Sequence, residues 1–311
     1  MKQVKIINFG ACGIDEIRDK TLTRELIYRE EGRKSSHQAW ASKLAGAESM
    51  LVSFVGNDEN GKYVLDSLAK RGFKTDYIKV IEGELTEVNI QLLDPKTKDY
   101  ELERGPNELS QYFTPEMVNE YREQILAADF VVLVSKHNYD FLVRIINFCY
   151  ENNKPTILTI SHPKFELEKD HETLEKVSVI VGNLDEVKNN LTSEDNKGLS
   201  EIESPEEMLK ILPNLMVTSA GGVWFCDEDG NTVFQKSVSV PQEKIIETNG
   251  AGDTFAGNYV VFKAEGETKT NAVRLGQCAA ALEIQKMGVL DAMPHRDETL
   301  RLYHQMYDGH N

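Results

Sequence analysis

Cysteine is scarce in this 311-residue chain, with four residues at positions 12, 149, 226 and 278. None forms a CxxC pair, which excludes a zinc knuckle or redox dithiol and leaves reduced, buried thiols as the expectation. Positive charge is also in deficit: 35 lysines and arginines stand against 51 aspartates and glutamates, a formal net charge of −16 with a pI near 5.0. Such a balance lacks the basic stripe that nucleic acid or an anionic membrane surface demands, so neither partner is expected. It does not exclude a local basic pocket, because charges farther apart than a Debye length of about 8–10 Å barely sense one another. No apolar run approaches the roughly 20 residues of a membrane span, and the opening MKQVKIINFGACG has no sustained apolar core of the signal-peptide kind. A cytoplasmic location is expected. Missing too are a Walker A segment, a complete GxGxxG fingerprint and an HExxH zinc motif, since histidines 137, 162, 171, 295, 304 and 310 lack that spacing. Without a proline-rich linker, internal repeat or composition shift, residues 1–311 read as a single domain.

Apolar residues make up 40% and charged residues 28% of the chain, enough for a soluble protein with a large core. Short β-branched runs alternate with amphipathic helical segments. VKIINFG reads as a strand, SHQAWASKLAG as a helix ended by Gly46, MLVSFVG as a buried strand and GKYVLDSLAKRG as a helix closed at Gly72. The rhythm continues through DFVVLV, YDFLVRIINFCYENN, PTILTIS, SVIVG with NLDEVKNNL, and NLMVTSA, which predicts an α/β fold with a mainly parallel sheet. Two stretches break it. Residues 17–30 and 86–103, the latter with EVNIQLLD and YELERG around the turn DPKTKD, read as paired strands with polar alternate positions and suit a small lid. GVWFCDEDGNTVFQKSVSV reads as a hairpin turned at Asp229 and Gly230.

The densest chemistry lies in ETNGAGDTFAGN, residues 247–258. Following KIIE, TNGAGD must turn sharply into the helix GDTFAGNYVVFKA, leaving backbone N–H groups without intrahelical partners. Glycine lets backbone approach a phosphate, and the helix N-terminus favours the anion. Asp253 beside that cradle is positioned to take a proton from an attacking hydroxyl. In the bland alternative, Gly250 and Gly252 only make a tight turn and Asp253 is a first-turn acid that suits the helix dipole.

The ordered series GACGID, GRKSSHQAWASKLAGA, SFVGNDENGKYVLDSLAKRG, RGPNELSQYFTPEMV, NLDE, SAGGVW, TNGAGD and CAAALEIQKMGV resembles the ribokinase-like (PfkB) carbohydrate kinases over nearly the whole chain, and within them the ribokinase branch. The resemblance implies a three-layer α/β sandwich with a β-strand lid, and ATP-dependent phosphoryl transfer to a hydroxyl of a sugar or sugar-like molecule. It makes Asp253 the general base and the amides of Gly250, Ala251 and Gly252 the stabilisers of the transferring phosphoryl group. It gives Asn183 and Glu186 of NLDE a place beside Mg²⁺ and its waters, although the same pair also reads as a capping box. It sets the adenosine of ATP near VTSAGGV, with Gly222 as the final glycine of a Thr-x-Gly-x-x-Gly turn and Val217 and Ser219 in the Thr and first Gly positions. Gln277 falls where the family contacts the base, or is simply a polar helix position. A monovalent cation, K⁺ in particular, is implied near Glu247 and Asn249, with Glu247 replacing the common Asp. The lid implies a homodimer.

Substrate positions depart from the pattern. Asp15 matches the aspartate that binds sugar hydroxyls, and Gly32 and Lys34 are retained. Gly13 replaces an Asn, Arg33 a glycine and His37 an Asn, while Lys136 lies where ribokinases proper have an acidic contact. These exchanges admit an anionic acceptor such as a sugar phosphate or sugar acid, gripped by a guanidinium. They equally admit cations that point to solvent or pair with the chain's many carboxylates. A nucleoside kinase and a non-catalytic sugar or nucleotide sensor are the other readings.

Overall fold

The computed structural model describes residues 3–21, 23–94, 100–104, 108–136, 138–161, 165, 167–191, 202 and 204–307. The expected turn at 95–99, residues 105–107 of RGPNELS, and His137, His162 and His310 lie outside the described residues.

Thirteen strands follow in order: β1 (Lys5–Phe9), β2 (Gly13–Asp19), β3 (Leu26–Gly32), β4 (Glu48–Gly56), β5 (Ile78–Ile81), β6 (Val88–Leu93), β7 (Tyr100–Arg104), β8 (Phe130–Val134), β9 (Thr156–Thr159), β10 (Val179–Asn183), β11 (Leu215–Ser219), β12 (Gly222–Cys226) and β13 (Thr232–Lys236). Nine of them form one sheet in the order β13-β12-β11-β10-β9-β8-β1-β4-β5. It is parallel from β5 to β11 and antiparallel only along β11-β12-β13. The hairpin turn expected at Asp229 and Gly230 joins β12 to β13, with Gly230 at φ 82°.

The parallel strands are apolar throughout because both faces are covered. In β1, Ile7 and Phe9 enter a core with Leu133, Phe113, Phe141 and Ile145, while Ile6 enters the opposite one with Val132, Tyr259, Val260 and Phe262. Period-two alternation thus feeds two cores, and helices on either side complete a three-layer sandwich. Strand β5 and the helices Leu167–Glu175 and Pro205–Ile211 were not expected from the periodic pattern.

The remaining four strands make the lid sheet, in the order β3-β2-β6-β7, with β2 and β6 parallel and the other pairs antiparallel. It begins earlier than residue 17: β2 starts at Gly13 and β3 runs to Gly32. Asp15 is therefore a lid-sheet residue, paired in register with Glu30 and Asn89. In the main sheet the chain winds from β1 outward to β4 and β5, then returns to β8 on the other side of β1. Crevices at such a reversal, outside the carboxyl ends of the strands, are where open α/β sheets hold ligands.

Candidate active site

A cavity of about 1080 Å³ opens at those strand ends. One small ligand takes roughly 300–1,000 Å³, so the cavity is large enough for a sizeable ligand or for two small ones. Its walls include Asp15, Arg33, Lys34, His37, Lys136, Asn183, Glu186, Asn249, Gly250, Ala251, Gly252, Asp253 and Gln277. Gly32, Gly222 and Glu247, also singled out from the sequence, are not in the wall.

One helix crossing assembles the centre. Helix Lys34–Leu44 packs against helix Ala251–Ala264 where Ala41 meets Gly257, and a Cβ on Gly257 would lie 2.7 Å from the Gln38 carbonyl oxygen. Ser42 Oγ reaches the Gly257 carbonyl at 3.2 Å. One turn from this small-residue contact, on the facing sides of both helices, stand His37, Gln38 and Asp253. Gln38 Nε2 donates to Asp253 Oδ1 at 2.8 Å and to Thr159 Oγ1 at 3.1 Å. His37 Nδ1 stands 3.3 Å from Asp253 Oδ2. On its other side, His37 Nε2 approaches Asp15 Oδ2 at 3.4 Å, an ion-pair contact rather than a hydrogen bond. The imidazole is only 3% exposed. Burial alone would push it down, but the hydrogen bond to Asp253 and the charges of Asp15, Asp253 and Glu30 outweigh this and raise it from 6.5 to about 9.

Helix Ala251–Ala264 begins after Gly250, which sits at φ 91°, a left-handed conformation. A Cβ there would also strike Val289 Cγ1 and come within 3.0 Å of Glu283 Oε1, so both conformation and space demand glycine. Gly252 differs: a Cβ on it would meet nothing within 4 Å, so its missing side chain leaves open space over the helix end. The first intrahelical bond runs from Thr254 N to Gly250 O at 2.8 Å, and the Ala251 amide makes a long 3.4 Å bond back to Thr248 O. The amides of Gly252 and Asp253 lie within the first turn, where no intrahelical acceptor exists. Geometry and dipole there suit a phosphate.

The opposite wall of the cavity is built on Asp15. Its Oδ2 accepts from the Arg33 amide at 3.1 Å, while its Oδ1 is buried with no partner. Gly32 lies beneath, and a Cβ on it would press into Asp15 Oδ2, Cγ and Cβ. This glycine is needed for room; with Asp15 holding the acceptor hydroxyl, as the family resemblance implies, Gly32→Ala is expected to raise the acceptor KM at least tenfold while leaving that for ATP unchanged, as steady-state kinetics against each substrate would read. Arg33, standing where the resembling family has glycine, keeps a glycine-like φ of 85°. Such strain costs of order 1–3 kcal/mol, and it turns the guanidinium onto the buried Glu87 at 2.6 Å. Lys136 reaches Glu87 at 3.5 Å and Glu108 at 3.3 Å. All three added cations thus face carboxylates, the pairing alternative of the sequence reading. Glu87 had no sequence signal, because its partners come from three separate segments.

Asn183 and Glu186 form the reciprocal capping box: the Glu186 amide donates to Asn183 Oδ1 at 2.8 Å, and the Asn183 amide to Glu186 Oε2 at 2.9 Å. Glu186 Oε1 takes Lys34 Nζ at 3.0 Å, and the same ammonium donates to the Ile160 carbonyl at 3.1 Å. Both carboxylate oxygens are thus engaged.

At the other end the gapless alignment of VTSAGGV needs correction. Val217 is buried in the core, whereas Thr218, Ser219, Ala220 and Gly221 line the cavity. Gly222 instead serves strand packing, where a Cβ would lie 2.5 Å from the Gln235 carbonyl oxygen. Gln277 donates to that carbonyl at 3.0 Å and keeps a buried, unpartnered Oε1.

Glu247 lies beneath the loop, 3% exposed, accepting from the Gly288 amide at 3.1 Å through Oε2. Its Oε1 has no partner, nor has either oxygen of the fully buried Glu283, which the sequence reading missed. Burial first, then the charges of Glu247, Asp253 and Glu30, pushes the Glu283 carboxyl up to about 9.

The chain is similar to known proteins. Residues 36–296 match the pfkB family of carbohydrate kinases. Ribokinase of Haemophilus influenzae is 25% identical over 283 residues, 90% of each chain, and adenosine kinase of Schizosaccharomyces pombe is 25% identical over 268 residues, covering 80% of this chain and 77% of its own. The structure of Arabidopsis thaliana ribokinase complexed with ribose and ATP superposes with a TM-score of 0.79 at 19% identity, over 97% of this chain and 99% of that one. Since the family match runs from the helix bearing His37 past the Gly250–Asp253 turn to the end of the strand-end cavity, this chain belongs to the pfkB family of carbohydrate kinases, ATP-dependent enzymes that phosphorylate hydroxyls of sugars and sugar-like molecules.

Proposed function

We propose that this protein transfers the γ-phosphoryl group of ATP to a hydroxyl of a neutral sugar or sugar-like polyol, with Asp253 as general base. The observation that carries this reading is the convergence, in one cavity, of Asp253, the open amides of its helix and the unpaired Oδ1 of Asp15. A buried acceptor oxygen left without a donor costs about 1–3 kcal/mol, which a substrate hydroxyl recovers by donating to Asp15. That contact turns the acceptor toward Asp253, which takes the proton as the oxygen attacks. The amides of Gly250 and Gly252, and that of Ala251 once it gives up its long 3.4 Å bond to Thr248 O, face the transferring phosphoryl group, and preorganised donors of this kind are worth roughly 10²- to 10³-fold in rate each. Asn183 and Glu186 would hold the hydration shell of a Mg²⁺ bound with the nucleotide, a cation that dehydrates reluctantly and would supply neutralisation of phosphate charge. Gln277 Oε1 is free to accept from the adenine amino group.

A neutral acceptor is favoured because Arg33, His37 and Lys136 already face Glu87, Asp15, Asp253 and Glu108. A monovalent cation fits the unpartnered oxygens of Glu247 and Glu283 more closely than the sequence-based pairing of Glu247 with Asn249, which is in the cavity wall. The lid closes over the acceptor and excludes water. It also supports a homodimer through the exposed Leu26 and Ile27 of β3, an edge strand. Four unpaired, buried cysteines suit a cytoplasmic enzyme with ready ATP. Among the described residues, no helix is long and apolar enough to cross a membrane.

ADP release with Mg²⁺ and ATP, measured across neutral sugars, nucleosides, sugar acids and sugar phosphates, tests the reading. Turnover is expected with a neutral sugar. Turnover confined to sugar acids or phosphates would restore the anionic acceptor, and sugar binding with no transfer to any of them would favour a sensor.

A further inference from the structure

His37 touches both carboxylates at the heart of the site. Its Nδ1 meets Asp253 Oδ2 at 3.3 Å and its Nε2 meets Asp15 Oδ2 at 3.4 Å, with the ring buried. Only the doubly protonated imidazolium carries a proton on both nitrogens, and only that form balances two carboxylates that face it at once. Asp15 comes from the lid sheet and Asp253 from the helix behind the main sheet. The ring is therefore the rigid spacer between the part that holds the acceptor and the part that activates it. We infer that His37 is a positioning residue for phosphoryl transfer, a charged bridge that locks Asp15 and Asp253 at a fixed separation and so aligns the acceptor hydroxyl with its base. This deepens the kinase reading and rests on it.

The carboxylates acting on the ring favour its proton. Asp15 faces it from β2, Glu30 and Glu31 from β3 and Asp253 from the late helix. The cation on its own helix, Lys34, is held by Glu186 and the Ile160 carbonyl. Deprotonation leaves one ring nitrogen with a lone pair turned toward a carboxylate, and the bridge opens. Activity should thus fall on the alkaline side in step with loss of the His37 proton, near pH 9.

The experiment reads the imidazole itself and does not depend on turnover. In ¹⁵N-histidine-labelled full-length protein, the His37 signal is assigned by its loss in His37→Asn, or in His37→Gln should the first variant unfold. The expected result is a titration midpoint at least one pH unit above the usual value of about 6.5, moving down by a unit or more in Asp253→Asn and in Asp15→Asn. A midpoint at the ordinary value, or one unchanged in both carboxylate variants, overturns the bridge. Kinetics with ATP and whichever neutral sugar is turned over supply the second reading. His37→Asn should lower kcat about tenfold, leave the KM for ATP unchanged and lose the alkaline limb, whereas an alkaline limb that persists in His37→Asn counts against it. If no acceptor is phosphorylated, the kinase reading fails while the titration still decides whether the bridge exists.

Discussion

Asp253→Asn is expected to lower kcat by roughly 10³- to 10⁴-fold and to leave the affinity for a non-hydrolysable ATP analogue within a factor of two. A positioned general base contributes about 10²- to 10⁴-fold. The upper part of that range is expected because, in the proposed reaction, Asp253 is the carboxylate that joins the helix receiving the phosphates to the acceptor side. An asparagine has nearly the same shape, and its side-chain oxygen still accepts from Gln38, which donates to Asp253 at 2.8 Å. The turn at Gly250 is set by backbone conformation and by Val289, so the nucleotide cradle is retained. Steady-state kinetics together with calorimetric titration of the analogue separate the two quantities. Loss of nucleotide affinity in parallel with kcat would mean that Asp253 shapes the cradle instead of serving as base.

The second large effect concerns stability. Glu283 is neutral in the folded protein through the physiological range, its carboxyl pushed up to about 9 by burial and by Glu247, Asp253 and Glu30. In the unfolded chain it ionises near 4.5, so unfolding releases a proton between those values. The folded-state pKa is the raised one. The stability is therefore fully present below about pH 4.5 and is lost as pH rises toward 9. From pH 5 to pH 7 the loss is about 3 kcal/mol, at about 1.4 kcal/mol per unit. Glu283→Gln carries a neutral group in both states and escapes this dependence. Denaturant unfolding should accordingly show the variant gaining on the wild type by about that amount between pH 5 and pH 7. The buffer cation should be tetramethylammonium, too large to enter beside Glu247. Unfolding curves whose separation stays constant with pH would show that Glu283 is ionised in the fold.

Much of the architecture was legible because the two periodicities are strong. Doubly buried strands such as FVVLV and the glycine stops at Gly46 and Gly72 leave little choice of element, and the order of elements implies the parallel sheet. The small second sheet was legible as paired strands, but β2 begins before residue 17 and β3 runs past residue 30. Its alternation is clearest in the exposed half of each hairpin, whereas the half bearing Asp15 is buried and reads like core. Helices Leu167–Glu175 and Pro205–Ile211 escaped notice because they are short. Val217 turns into the core and Thr218 into the cavity wall because successive side chains of a strand point to opposite faces, which the motif spacing alone does not assign.

By itself the sequence determined the chemistry available: a glycine turn at a helix start with an aspartate beside it, an aspartate after the first strand, and their order along an α/β chain. These follow from nearest-neighbour physics, in which glycine frees the backbone and helix ends attract anions. Only the tertiary structure decided what each charged group faces. Arg33 and Lys136 converge on Glu87, His37 stands between Asp15 and Asp253, and Glu283 is buried without a partner. Electrostatic partners are set by distances of a few ångströms between segments up to 216 positions apart. Coulomb attraction and desolvation depend on those distances and on the surrounding medium, and neither is written in local order along the chain.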